Sequence, residues 1–440
     1  MISVAPLLLL LLLLLVQNTN SFSFIAMSSL DGPTTKRLKT MKSLTIPEET
    51  SATEMLSRTE AMEARAKEGN PFTENELDNV IKSLHNISPE SSTINWEALR
   101  KLILEVAHYS HKDWDLTGKN SERLAKLLIP DGMSAEARQI FERVVKEGNW
   151  DAARDHAITR NKECLPWAVL VTGVNGIRKT TAMYQSWFPQ LLQEALITPP
   201  DAKMDFPLEV LPCGENSFFR QLDHMITTLC NEEFTKLYAL TGAQMSDETP
   251  PKELIQNYSN LKAAIFTRFR TLSELVGVLL LREAQEININ CMLETSGRDV
   301  AMFHYVDSFF PSGGYRKLAL HFTINDLSYA QQSVDNRMVK EIEVGQEALE
   351  SGDAFQIIYA NAGGPYGSEV LPGVQTDSDR VWNESVLSGD VGQDWYKATI
   401  NINAHPTGEP WTAQAVRPDG KLGTLFEFEA PREVKTSTTT

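Results

Sequence analysis

The 440-residue sequence is short of the features that announce most common chemistries. Cysteine is scarce. Cys164, Cys213, Cys230 and Cys291 stand far apart, with no CxxC pair and no histidine at ligand spacing, so neither a disulfide scaffold nor a zinc site finds support and four free thiols are expected. HExxH, GxSxG and a GxGxxG followed by an acid are all missing, which leaves zincin, hydrolase and Rossmann dehydrogenase chemistry without signals. His108 and His111 lie three apart, a spacing that helix surfaces hold by chance. Positive charge is in deficit: the formal net charge of −17 opposes non-specific binding to a phosphate backbone and argues against a nucleic acid partner. Long hydrophobic runs are lacking too, since the one uninterrupted apolar stretch, residues 7–16, is too short to span a bilayer.

What remains is a globular composition, 42% hydrophobic and 22% charged, at a length that predicts two to three domains. The amino terminus reads as targeting sequence. Nine consecutive leucines, residues 7–15, followed by polar residues 17–21, predict a signal peptide over residues 1–21; no Lys or Arg precedes the leucines, so the terminal amine alone charges that end. Residues 28–45 are rich in Ser and Thr, carry Lys36, Arg37, Lys39 and Lys42, and hold Asp31 as their one acid, which predicts a transit-like, disordered stretch over residues 22–50. Together the pieces resemble the bipartite leaders of algae with secondary plastids, in which a Phe such as Phe22 or Phe24 follows the signal cleavage point; a plastid location is implied, with no membrane association of the mature form. Translation from Met27 would instead leave the protein in the cytoplasm. Plain secretion is the third reading, and only there would the sequons at Asn86, Asn257 and Asn383 matter.

Thr73 and Glu76 form a capping box ahead of Leu77, Val80, Ile81 and Leu84 at helical spacing; Leu99, Leu102, Ile103 and Val106, then Ile140, Phe141, Val144 and Val145, repeat that spacing. Residues 51–160 therefore read as a helical extension, a packing or partner-docking element without chemistry of its own. From Trp167 the pattern changes to alternating strands and helices. Strands are expected at residues 167–171, 208–211, 289–293 and 317–324; helices at residues 180–196, 300–310 and 327–349, with one long helix presenting Leu261, Ile265, Phe269, Leu272, Val276 and Leu279. This alternation predicts an α/β parallel sheet covered by helices over residues 161–350. Strands at residues 355–359, 396–402, 411–416 and 425–429 predict a strand-rich extension over residues 351–432, then a tail at residues 433–440. Asn361 to Gly367, NAGGPYG, is a glycine-rich loop that reads as a tight turn or an acceptor-pocket wall.

GVNGIRKT, residues 173–180, follows a buried strand and opens a helix, the setting of a phosphate-binding loop. Gly173 and Gly176 let backbone N–H groups converge on phosphates, alongside Asn175 and Thr181; Lys179 reaches the β and γ oxygens and Thr180 can hold Mg²⁺. Arg178 occupies the position that GxxxxGK[ST] reserves for glycine. LETSGRD, residues 293–299, places Glu294, Thr295, Ser296 and Arg298 at the C-terminal end of another strand, the edge at which parallel sheets bind ligands. A carboxylate there can organise Mg²⁺, and an arginine can stabilise charge on a transferred phosphoryl group, although a structural ion pair would use the same residues.

GVNGIRKT, LETSGRD, the Gly314-Tyr315 turn into LALHFTIN, and the helix SYAQQSVDNR ending at Arg337 follow the order and spacing of the zeta-toxin family of P-loop kinases, which the chain resembles over about residues 165–345. The resemblance implies transfer of the γ-phosphate of ATP or GTP, with Mg²⁺, to a hydroxyl of a small acceptor. It implies nucleotide contacts from Lys179 and Thr180, acceptor or metal contacts from Glu294 and Thr295, and charge stabilisation by Arg298 and Arg337. Where the family carries its catalytic base this chain has GENSF, residues 214–218, with Ser217 at the aligned position, so Glu215 or Asp223 would have to serve. A nucleotide-binding or partner-docking module without catalysis is the competing expectation.

Overall fold

The computed structural model describes residues 51–429 apart from residues 91, 131, 133, 162, 198–205, 246–250 and 406–408. The expected leader, residues 1–50, and the tail, residues 433–440, lie outside the described residues.

Among the described residues seven helices come first: α1 (Ser51–Glu68), α2 (Glu74–Ile87), α3 (Trp96–Val106), α4 (Trp114–Leu128), α5 (Ala135–Ile140), α6 (Glu142–Glu147) and α7 (Trp150–Thr159). The Thr73 capping box is present in both halves: Glu76 N–H donates to Thr73 Oγ1 at 3.2 Å and Thr73 N–H to Glu76 Oε2 at 2.8 Å. Beyond them lie strand β1 (Trp167–Thr172), helices α8 (Lys179–Met183) and α9 (Phe188–Ala195), the short β2 (Leu196–Ile197), and β3 (Ser217–Arg220). Four helices follow, α10 (Leu222–Leu229), α11 (Asn231–Gln244), α12 (Pro251–Arg268) and α13 (Arg270–Glu286), and lead to β4 (Asn290–Glu294). The remainder is α14 (Ala301–Phe309), β5 (Arg316–Ile324), α15 (Leu327–Ser351), α16 (Ala354–Ala360), α17 (Leu371–Val381) with a π-helical turn at Trp382–Val386, and strands β6 (Tyr396–Asn403), β7 (Trp411–Val416) and β8 (Leu422–Phe428).

The strands form one sheet in the order β3-β4-β1-β5-β6-β7-β8, with β2 pairing β6 from the side. The first five are parallel; β7 and β8 add as antiparallel neighbours. All six residues of β1 are buried, as expected of a central strand covered on both faces. The chain runs outward from β1 to β3, returns through β4, then crosses β1 to β5, so the order of the sheet reverses at β1. Such a switch point opens a crevice at the strands' C-terminal ends, and it lies between β4 and β5.

Several expected elements differ. The strand expected at residues 208–211 is a 3₁₀ turn, Leu208–Val210, and the strand next to β4 is Ser217–Arg220 instead. Residues 355–359 are helical because Asp353 caps their amides, accepting from Phe355 N–H at 2.9 Å, immediately after Gly352 ends α15 at φ +66°. The long helix breaks at Phe269, and the helix expected at residues 180–196 is two, with a turn ahead of Pro189 at the start of α9. The strand-rich extension at residues 351–432 is not an added unit. Its first part is helical, and β6 pairs with β5 from Leu318↔Tyr396 to Ile324↔Ile402, so the sheet runs through the expected boundary at residue 350.

The helical extension likewise joins the body. Glu76 takes Arg268 of α12 at 2.9 Å and Arg65 at 3.0 Å, Lys82 pairs with Glu232 at 2.7 Å, and Ser121 Oγ donates to Leu275 O at 2.8 Å. No helix among the described residues is long and apolar enough to cross a membrane.

Candidate active site

β1 ends at Thr172 and releases a loop whose backbone turns left-handed three times: Gly173 at φ +125°, Gly176 at +86° and Arg178 at +64°. The two glycines are sterically required. A Cβ on Gly173 would meet Phe322 O at 2.5 Å, and one on Gly176 would meet Ala330 O at 2.5 Å, so strand β5 and helix α15 press directly on the loop. Arg178 adopts the left-handed conformation that glycine would take freely, at a cost on the order of 1 kcal/mol. Its side chain is not among those lining the cavity described below; burial lowers its pKa, and the Glu429 carboxylate beyond β8 acts against that.

Lys179 opens α8 and is buried. Its ammonium donates to Gly173 O at 2.6 Å and Val174 O at 2.8 Å and pairs with Glu294 Oε1 at 2.9 Å. One cation thus joins the loop after β1 to the end of β4, as two motifs on adjacent strands should be joined. Thr295 N–H donates to Val171 O at 2.9 Å and Gly173 N–H to Ser296 O at 3.3 Å, so the two loops are laced through backbone as well. Thr180 and Thr181 are half-buried in the first turn of α8.

A cavity of about 380 Å³ lies beside this junction, over the C-terminal ends of β3 and β4. Asn175 of the loop, Asp223, Glu294, Thr295, Ser296 and Arg298 line it, together with Tyr366 of the NAGGPYG loop. Asp223 lies just past β3; burial, and secondarily the Glu294 carboxylate, raise its pKa, which favours holding a proton. Arg298 stacks on the Tyr366 ring at 5.3 Å. The NAGGPYG loop is a wall, not a turn alone. Arg337 Nη2 donates to Gly364 O at 2.9 Å, Ala362 N–H donates to Glu341 Oε1 at 2.9 Å, and Glu341 pairs with the buried Lys262 at 2.6 Å. Gly364 itself is wedged between Asn175 Nδ2 and Asp223 Oδ2, 2.8 and 3.4 Å from where its Cβ would stand.

The structure therefore brings together Gly173, Asn175, Gly176, Lys179, Thr180, Asp223, Glu294, Thr295, Ser296 and Arg298. It separates others. Glu215 precedes β3, which runs parallel to β4, so it lies at the opposite edge of the sheet; it is exposed, with its carbonyl accepting from Asn149 Nδ2 at 2.7 Å. Ser217 is the buried first residue of β3 and equally remote, because the strand begins where the sequence placed the turn after it. Arg337 acts on the wall through Gly364 O and pairs with Glu341 at 3.5 Å; it is not among the lining residues.

Sequence reasoning missed the other side of the cavity. His111, Lys112 and Trp114 come from the helical extension, and Phe266 and Arg270 from the junction of α12 and α13. Lys112 pairs with Asp299, next to Arg298, at 3.2 Å, and Thr271 Oγ1 donates to Tyr109 O at 2.7 Å, so this segment is strapped over the pocket. Burial, with Arg270 adding to it, lowers the pKa of His111 and favours its neutral ring. The only available signal was the His108/His111 spacing.

Among the described residues no group of three or more His, Cys, Asp or Glu is arranged to hold a metal. Thr180 and Glu294 are the residues whose oxygens would meet a cation at this junction. Comparison of the chain with protein-family models and with curated proteins returns no match.

Proposed function

We propose that the chain is a P-loop phosphotransferase, akin to the zeta-toxin kinases, that moves the γ-phosphate of ATP or GTP onto a hydroxyl of a small acceptor seated in the cavity. One observation carries the reading: Asn175 of the loop after β1 lines the same cavity as Asp223, Glu294 and Arg298, while Lys179 links that loop to Glu294. Donor and acceptor would then meet at one place, and positioning with electrostatics supplies most of the rate of phosphoryl transfer.

In this mechanism the loop amides and Lys179 hold the β and γ oxygens, and Thr180 and Glu294 would hold the Mg²⁺, which supplies charge neutralisation when bound. The acceptor oxygen forms its bond to γ-phosphorus as the bond to the β–γ bridging oxygen breaks and the nucleoside diphosphate leaves. The acceptor proton passes to Asp223, whose raised pKa suits it to receive one. Arg298, at the cavity edge, offsets charge on the transferred group. Arg337, on helix α15, positions the NAGGPYG wall and is the residue through which a lid movement would be felt. The amino-terminal leader would deliver the enzyme to a plastid.

Arg178 favours the competing reading of a binding module without turnover, because it departs from the glycine of working loops. Calorimetry of MgATP binding to the full chain, beside Lys179→Ala, is the first test. Binding that Lys179→Ala removes supports the loop; equal binding by both proteins, or none by either, overturns it. ADP formation in an acceptor screen then separates enzyme from module.

A further inference from the structure

The C-terminal helix α17, to which the sequence assigned no role, holds a relay that ends directly beneath the phosphate loop. Thr172 is the last residue of β1, and Gly173 follows it. The Thr172 hydroxyl lies 2.8 Å from Nδ1 of His321 on β5, and Nε2 of the same ring lies 3.2 Å from Asp379 Oδ1 on α17. His321 and Thr172 are fully buried, 1% and 2% exposed. Trp382, in the π-helical turn that continues α17, stacks on the imidazole with ring centroids 4.9 Å apart and planes 16° apart. Gln375 Nε2 donates to Asp379 Oδ1 at 2.6 Å and orients the carboxylate. π-helical turns cluster at functional sites.

The chemistry of the three groups sets the direction of the relay. A carboxylate only accepts, so Asp379 selects the tautomer with its proton on Nε2; Nδ1 is then an acceptor and takes the Thr172 hydroxyl. Without Asp379 the ring can carry its proton on Nδ1 and donate to Thr172, whose hydroxyl then turns to Leu320 O, 3.3 Å away. The neighbouring loop is caught in the same clamp. A Cβ on Gly297 would stand 2.7 Å from Thr172 Cβ and 3.2 Å from Ser378 Oγ of α17, and Gly173 N–H donates to Ser296 O.

We propose that Asp379 is a positioning residue for the phosphate loop: through His321 it fixes the Thr172 hydroxyl, and with it the departure of residues 173–181 and the seat of the turn at residues 294–298. The proposal rests on reading residues 173–181 as a phosphate loop, and its effect passes through backbone placement, since Asp379 touches neither nucleotide nor acceptor.

The test uses the full chain as wild type, Asp379→Leu, Asp379→Asn and Thr172→Val, with three measurements: MgATP affinity by calorimetry, hydrogen exchange of the peptide covering residues 173–181, and ring ¹⁵N shifts of His321, assigned with His321→Gln. Asp379→Leu and Thr172→Val should each weaken MgATP binding by about tenfold, the loss of the buried Thr172–His321 hydrogen bond, and speed exchange of the loop. Combined, they should cost no more than either alone, because both cut one chain of contacts. Asp379→Asn keeps an acceptor oxygen and should stay near wild type in all three readouts, whereas Asp379→Leu should move the imidazole proton to Nδ1. Unchanged exchange and unchanged ring shifts in Asp379→Leu overturn the clamp. Should wild type bind no MgATP, the phosphate-loop reading fails by itself; faster exchange in Asp379→Leu would then still sustain the clamp, and unchanged exchange would overturn it.

Discussion

The loop after β1 and the cavity beside it are built in opposite ways. The loop is eight consecutive residues, 173–180, whose shape is written in two glycines and one lysine. The cavity takes one residue, Asn175, from that loop and collects the rest from residues 111–114, 221–223, 263–270, 294–302 and 364–366, segments far apart in sequence. On the proposed reading, a donor site that must grip the same phosphates would be local and stereotyped, whereas an acceptor site shaped to one small molecule would draw on whatever segments the fold brings past the sheet edge, its specificity lying in long-range packing. Substitutions on the two sides should accordingly differ in kind as well as in size.

The largest effect should come from the loop. Lys179→Ala is expected to abolish MgATP binding and turnover together, measured by calorimetry and ADP release; retained binding would put the loop on the same footing as the cavity. Arg298→Ala should leave MgATP binding intact while lowering kcat by roughly 10³-fold, the lower range for a cation that acts on transition-state charge. Equal losses in affinity and kcat would erase the distinction between donor and acceptor sides.

The third variant tests the cavity's foundation. Glu274, fully buried, accepts Arg220 and pairs with Arg270, which lines the pocket, at 2.8 Å. Burial alone would raise its pKa, but Arg220 and Arg270 more than offset that and hold it at about 2 against an ordinary 4.5. A depressed carboxylate contributes stability that is fully present above pH 4.5 and is lost as pH falls through about 2. Glu274→Gln, which leaves Arg220 uncompensated, should cost about 3 kcal/mol in denaturant unfolding near neutrality. The variant should also show a flatter stability profile between pH 4.5 and 2 than wild type; parallel profiles would show that Glu274 is not the titrating group.

The smallest effect is expected at the rim. Lys112→Ala releases the strap to Asp299, and a cavity less able to exclude water should raise acceptor-free ADP formation a few-fold without changing MgATP affinity. No rise would mean that the helical extension lines the cavity without closing it.

This division also explains what could be read from the sequence. The apolar run at residues 167–171, the strand over residues 317–324 and the helix starting at Leu327 were legible because each is a long, strongly periodic or continuously apolar segment. The capping box at Thr73 was legible because its two bonds are local. Strand β3 was not. Its four residues, Ser-Phe-Phe-Arg, are shorter than any periodicity can resolve, and the buried Arg220 depends on Glu274, 54 residues away, to receive it. Misplacing β3 left Glu215 and Asp223 as equal candidates for the base, whereas the structure puts Asp223 on the cavity and Glu215 at the opposite edge of the sheet. The role of residues 351–432 was hidden for a related reason. Pairing of β6 with β5 depends on a partner 78 positions back, as in Leu318↔Tyr396, and no local pattern records it.

The position of β1 has a consequence for how the molecule is made. Its neighbours β4 and β5 are encoded about 120 and about 145 residues downstream, so at roughly 5–20 residues per second a ribosome needs on the order of 6–30 s to deliver them. For that interval Trp-Ala-Val-Leu-Val-Thr, every residue of which is buried in the finished protein, has emerged with no strand to pair with. The segment that organises the finished sheet thus waits on the nascent chain as an exposed apolar strand, open to a chaperone, until its neighbours arrive.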